Sequence, residues 1–275
     1  MKVTFYWILA VLITFAAIIY QRKTGPTYDK KVSVSIDGQE YHFKLTRSHG
    51  GTSDCKLVLD VADQLVSGVL LYKKFPTNDA WTEVAMMREN NVISGLLPNL
   101  PPAGKYEYKI MLKKGDKTYE LNEGKPVIIR FKGDVPAYVL IPHIICMFLA
   151  MFLGNVAGIM AVFKFPKFRY YTMLTVIFLF IGGMLLGPLV QKYAFGEFWA
   201  GVPFAWDLTD NKTLLSFIFW VLAWGMNYKK EQPAFVIVAS VVMLIVYSIP
   251  HSMYGSQLDP ETGKVIQGWI QLLMH

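Results

Sequence analysis

The stretch AYVLIPHIICMFLAMFLGNVAGIMAVF, residues 137–163, carries no charged side chain. An apolar run beyond about 18 residues can cross the ~30 Å hydrocarbon core of a bilayer as one helix. Thr4–Tyr20 and Tyr170–Val190 lie near or above the same threshold. Leu214–Asn227 and Ala234–Ile249 are shorter and reach across only with their flanks. The chain is therefore expected to be a membrane protein with five transmembrane helices. Composition agrees, because 53% hydrophobic and 17% charged residues is too apolar for an ordinary soluble domain.

The net charge of +7 comes from dispersed loop residues rather than a basic patch, so it does not point to nucleic acid. Two short loops set the orientation. Phe163–Tyr171 carries Lys164, Lys167 and Arg169, and Tyr228–Gln232 carries Lys229 and Lys230. By the positive-inside rule both are cytoplasmic. The amino terminus is then inside, while Gln21–Val135, Gln191–Thr213 and the segment after His251 are outside, across a bacterial inner (cytoplasmic) membrane. Arg22 and Lys23, on the outer flank of the first helix, weigh against this arrangement. Met1-Lys2 is a thin basic region and no Ala-x-Ala site ends the first run, so an uncleaved anchor is expected. The expected divisions are an anchor at 1–22, an external β-domain at 23–135, a four-helix membrane domain at 136–252 and an external tail at 253–275.

The external segment Gln21–Val135 holds 18 of the 27 Lys and Arg and 14 of the 20 Asp and Glu. That hydrated surface fits a domain standing in water. Lys31–Ile36 alternates, with Val32, Val34 and Ile36 on one face. Asp37-Gly38 turns the chain into Gln39–Leu45, a second alternating run. Val66–Tyr72, Glu83–Met87, Lys105–Leu112, Lys117–Leu121 and Val127–Phe131 continue the series. Short strands at this spacing predict an all-β immunoglobulin- or fibronectin-like sandwich. Leu97–Tyr108, a proline/glycine turn before an aromatic strand, also resembles fibronectin-type domains. The two cysteines, Cys55 and Cys146, are too separated for a disulfide framework or a Cys-x-x-Cys motif. The domain reads as a surface for a protein partner.

Polar features mark the membrane half. Gly154–Gly158 and Gly183–Gly187 are Gly-x-x-x-Gly patterns, which let helices pack closely within one chain or in a homodimer. Asn155, deep in the second helix, needs a partner on a neighbouring helix. The outer loop Tyr193–Thr213 combines Trp199 and Trp206 with Glu197, Asp207 and Asp210. Asp210 or Asn211 is placed to cap the fourth helix. The tripeptide Ile-Pro-His occurs at Ile141–His143 and again at Ile249–His251. His143 is then roughly 10 Å below the outer surface at 1.5 Å per residue, and His251 stands at the outer end of the fifth helix. Each proline frees a backbone carbonyl and can kink its helix.

Gly201–Lys212, with the helix after it, resembles the tryptophan-rich external loop of haem-handling cytochrome c assembly proteins. The resemblance covers about twenty residues and implies histidines at outer helix ends beside a Trp-Asp stretch. The anchored sandwich followed by four helices resembles a bacterial multi-helix membrane-protein family with no assigned activity. Candidate cofactor-binding residues are therefore His143, His251, Trp199, Trp206, Asp207 and Asp210. His143 and His251 could hold haem b axially. They could instead bind a transition metal, with Cys146 or Met147 on the same helical face as His143. Ordinary polar contacts, to a backbone carbonyl or to Asp207, would account for the same histidines without any cofactor. Three functions follow: electron transfer or cofactor handling, a non-catalytic assembly subunit docking a partner through its sandwich, and a small transporter component. No nucleophile elbow, Walker loop or His-Glu-x-x-His motif is present.

Overall fold

Side chains longer than alanine dominate the first apolar run, and it forms α1 (Lys2–Thr24) in the computed structural model. The structure describes residues 2–25, 27–250, 256–259, 262–263 and 265–267. Described residues of 1–26 and 135–250 belong to a helical unit, and those of 27–134 and 256–266 to a β-unit. The protein thus combines helices with β-sheets. Three helices are long and apolar enough to cross a membrane: α1, α2 (Ala137–Val162) and the continuous helix Phe168–Phe195.

That third helix is not regular. It runs as α3 (Phe168–Leu179), a π-helical segment (Phe180–Leu186) and α4 (Gly187–Phe195). Pro188 lacks an N–H and would collide with the carbonyl four residues back in a regular helix, so the chain widens before it. α5 (Leu208–Met226) and α6 (Pro233–Ser248) complete the described helices of this unit. α5 begins six residues before the apolar run Leu214–Asn227, because Asp207 caps it: its Oδ1 accepts the N–H groups of Thr209 (2.7 Å) and Asp210 (3.2 Å). Asp207, rather than Asp210 or Asn211, is the cap.

α2 packs against α1, α3, the π-helical segment, α4 and α6. Its small residues explain the close approaches. A Cβ on Gly154 would lie 2.8 Å from Met243 Sδ and 2.9 Å from Trp220 Cζ2, and one on Gly158 would lie 2.5 Å from Ser240 Cβ. Gly183 likewise meets Thr213 Cγ2 at 2.8 Å. Gly154, Gly158 and Gly183 thus each meet a neighbouring helix of the same chain. Asn155 Nδ2 donates to Thr14 Oγ1 of α1 at 2.9 Å, the cross-helix partner its depth demands.

The two ends of the helical unit are distinct. At one end Tyr6 of α1 stacks on Phe163 at 5.1 Å, and Arg169 donates to the carbonyl of Tyr228. The loops bearing Lys164, Lys167, Lys229 and Lys230 therefore gather beside the start of α1. At the other end the Tyr138 and Tyr193 hydroxyls lie 3.4 Å apart, and Lys212 Nζ donates to Ile249 O at 2.7 Å.

In the β-unit, β1 (Lys30–Ile36) and β2 (Gln39–Leu45) form a hairpin. Its turn residues Asp37 and Gly38 both have positive φ, 48° and 90°, the twist a two-residue hairpin turn needs. Tyr41 and Phe43 are buried and His42 is exposed, as alternation requires. β3 (Ser48–Gly50), β4 (Cys55–Asp60), β5 (Val66–Lys74), β6 (Thr82–Ala85), β7 (Met87–Glu89), β8 (Val92–Leu97), β9 (Lys105–Lys114), β10 (Lys117–Glu120) and β11 (Val127–Lys132) follow. One sheet has the order β3-β11-β9-β5-β6, with β10 paired to β9, and a second has the order β4-β8-β7. Leu57, Leu59, Leu70, Ile93, Tyr108 and Phe131 fill one core drawn from both.

The expected strand Glu83–Met87 is two strands in two sheets. Met86 turns inward between β6 and β7, and its N–H donates to Gly68 O at 2.8 Å. Asp37 anchors the hairpin: its carboxylate takes Lys117 at 2.7 Å, Lys114 at 3.0 Å and the Tyr119 hydroxyl at 3.0 Å. Within the expected external tail 253–275, described residues of 256–266 group with this unit. β12 (Ser256–Leu258) pairs with β13 (Val265–Gln267), Ser256 and Gln257 are buried, and Leu258 N–H donates to Ala103 O at 3.0 Å. Lys105 Nζ donates to Gln257 Oε1 at 2.7 Å.

Candidate functional site

Pro142 cannot donate to the carbonyl of Tyr138, so α2 is locally open one residue before His143. The π-helical segment faces it with a second irregularity. Gly182 O accepts Gly187 N–H across five residues and also the His143 ring, Nδ1 to O at 2.8 Å. A carbonyl can only accept, so Nδ1 carries the proton and Nε2 is left as the lone-pair nitrogen. Glycines make this contact possible. A Cβ on Gly182 would stand 2.8 Å from Cys146 Cβ and 3.0 Å from Met147 Sδ, and one on Gly187 would lie 3.9 Å from His143 Cε1.

The loop after α4 turns at Gly196, whose φ of 90° is left-handed. Beyond it the polar side chains serve the loop's own backbone. Asp210 Oδ2 accepts Ala200 N–H at 2.7 Å, and Asn211 Oδ1 accepts Val202 N–H at 2.7 Å. Trp199 Nε1 donates to Val202 O at 3.1 Å. Asp207 and Asp210 are buried in this arrangement, 2% and 7% exposed. The aromatic groups are placed the opposite way: Phe204 is 81% and Trp206 60% exposed, and Phe198 is exposed as well. Beside them runs an apolar groove of ≈ 460 Å³, lined by Val202, Trp206, Leu214, Leu215 and Ile218 among others.

Trp199, Trp206, Asp207 and Asp210 thus share one loop and the start of α5. His143 stands on α2, held to the π-helical segment. His251, its expected counterpart, lies outside the described residues. Among the described residues no group of three or more His, Cys, Asp and Glu side chains is arranged to hold a metal ion. Two features escaped the sequence reading. Gly182-Gly183 followed by Pro188 was the available sign of a broken helix. Lys212, a lone cation in an apolar stretch, was the sign of a helix-end contact, and the residue is 5% exposed.

In the β-unit, burial and the neighbouring Arg130 guanidinium push the Lys105 ammonium down to about 7. Arg130 is its cross-strand partner on β11. Burial also lowers Lys132, and burial raises the Cys55 thiol to about 11, which keeps it protonated and unreactive near neutrality.

No protein-family model, curated protein or solved structure matches this chain.

Proposed function

We propose that the chain crosses a bacterial cytoplasmic membrane five times, with its amino terminus inside and its β-unit outside. The basic loops and the start of α1 gather at one end of the helical unit, which fits the positive-inside rule. The β-unit takes residues from before α2 and after α6, so the chain between them crosses an even number of times. α5 and α6 therefore cross as a pair. Reporter fusions after Lys167 and Lys230 should read cytoplasmic, and those after Lys105, Asn211 and Gly263 external. A cytoplasmic reading at Lys105 would overturn the arrangement. The β-unit is read as immunoglobulin-like. Its orders β11-β9-β5-β6 and β4-β8-β7 correspond to G-F-C-C′ and B-E-D of that sandwich. Tyr108 on the strand equivalent to F donates its hydroxyl to Thr46 O at 2.8 Å.

The reading best supported for its role is a non-catalytic assembly subunit that docks a partner at the outer face. One observation carries it: the loop's carboxylates and amide satisfy the loop's own N–H groups, while its aromatic rings stand exposed beside an apolar groove. Exposed aromatic anchors around a pocket are the side chains that dominate binding interfaces. The β-unit adds exposed Val58, Met87 and Leu96 around Ser94. The test is native electrophoresis of the full chain gently solubilised from its own membranes. A complex heavier than the monomer should be present and should be lost in the Phe204→Ser/Trp206→Ala variant. A monomer in the parent, or an unchanged complex in the variant, would refute docking through the loop.

A second reading, haem or transition-metal binding, is favoured by the His143 tautomer. Metal-ligating histidines typically give their other ring N–H to a carbonyl, as His143 does to Gly182. The purified membrane protein should then show a Soret band, or a bound metal by elemental analysis, that His143→Ala removes. A parent protein with neither would discard this reading and leave the first intact.

A further inference from the structure

Among the buried polar atoms without a hydrogen-bond partner in the described residues, two lie on α5: Ser216 Oγ and Trp220 Nε1. Both residues are 0% exposed, and they sit four apart on the inward face of α5. Buried polar atoms in native proteins are nearly always bonded, and in an apolar surround an unbonded one is costly. The hydroxyl could rotate toward a carbonyl of its own helix, but the indole has no such freedom. Its ring edge is trapped, with Cζ2 only 2.9 Å from where a Cβ on Gly154 would stand, beside Met243 Sδ and Thr175 Cγ2. The Trp220 N–H can only donate, so it needs an acceptor at a fixed place.

We propose that a single ordered water molecule is bound here and bridges Trp220 Nε1 to Ser216 Oγ. The chemistry of the pair selects that ligand. Residues at i and i+4 share one face of a helix, and long helical side chains lean back toward the preceding turn, which brings the indole toward Ser216. Water can accept from the indole and donate to the hydroxyl at once. A cation would face the indole donor, and an anion would find no charge, since Lys212 Nζ one turn away is turned to Ile249 O. The water sits where α2, α3, α5 and α6 meet, because the residues around Gly154 come from all four. Ser240 Oγ, bonded to Gly154 O at 3.4 Å, lines the same junction. The helical unit is therefore hydrated at one internal point, independently of any partner or cofactor.

The test is proton NMR of the full chain in nanodiscs with ¹⁵N-labelled tryptophan, the Trp220 signal being assigned by its loss in Trp220→Phe. The indole proton should appear downfield, as a hydrogen-bonded group, with a cross-peak to bound water. Ser216→Ala should remove that cross-peak while the other six tryptophan signals stay in place. A signal that moves in Ser216→Ala without ever showing a water cross-peak would mean a direct bond and overturn the proposal. So would an upfield, unbonded indole proton, or a water cross-peak that survives Ser216→Ala.

Discussion

Gly158→Val should be among the most damaging single substitutions in the helical unit. The new side chain would enter the space of Ser240, whose Cβ is 2.5 Å from the position of a Cβ on Gly158 and whose Oγ is closer still. Ser240 Cβ is bonded directly to the α6 backbone and cannot swing aside, so α2 and α6 must separate. Overpacking of this kind costs about 1–3 kcal/mol and can cost more. It should appear as a lower unfolding temperature of the purified protein in detergent, with Gly158→Ala intermediate. Ser240→Gly should restore part of the loss when combined with Gly158→Ala, because the two positions share one space. Gly225→Ala is the control. Nothing lies within 4 Å of a Cβ there, so removing a helical glycine should be neutral or stabilising by up to ~1 kcal/mol. Equal losses at Gly158 and Gly225 would mean that α2–α6 packing is not what Gly158 protects.

The β-unit should grow more stable as pH rises from neutrality. Lys105 has a folded value of about 7, whereas an unfolded lysine titrates near ~10.4. Between these values the unfolded chain holds a proton that the folded form releases, so stability rises with pH across that window. Below about 7 both forms are protonated and the full cost of burying the ammonium beside Arg130 is present. The window corresponds to ~5 kcal/mol at most. Hydrogen exchange in β9 and in Ser256–Leu258 should therefore slow, beyond the intrinsic effect of pH, on going from pH 6.5 to 9. Lys105→Met should abolish that gain and protect both segments at pH 6.5. A pH-independent opening in the parent would show that the contact with Gln257 solvates the ammonium fully. On the acid side the slope keeps the same sign. The partners of Asp37 hold its carboxyl well below the usual range, so the stability the hairpin anchor adds is full above the unfolded carboxylate value and is lost progressively as pH falls from there through the lower folded value.

The sequence disclosed what depends on length and period, and hid what depends on burial of polar groups. α1, α2 and the helix Phe168–Phe195 were legible as apolar runs because lipid and protein interiors accept the same side chains. The first turns of α5 were not. Asp210, Asn211 and Lys212 look like loop residues, yet they sit on the helix and bond to Ala200, Val202 and Ile249. β4 and β8 were missed for a different reason. Their outward faces carry Val58 and Leu96, half-exposed, so the apolar–polar alternation that betrays a strand is blurred. Of the candidate site, the shared loop position of Trp199, Trp206, Asp207 and Asp210 was legible. The π-helical carbonyl that receives His143 was not, because hydrogen-bond registry inside a helix leaves no periodic trace.

The strand β12 gives the molecule a clock. Residues 27–134 leave the ribosome well before Ser256–Leu258, the piece that meets Ala103 and Lys105. At ~5–20 residues per second, that interval lasts on the order of ten seconds. Throughout it the nascent β-unit carries an uncovered edge beside Ala103 while the helices from α2 to α6 are still being made. A message cut short before Ser256 would leave that edge open for the life of the chain, and a quality-control protease would meet the same surface in every truncated copy.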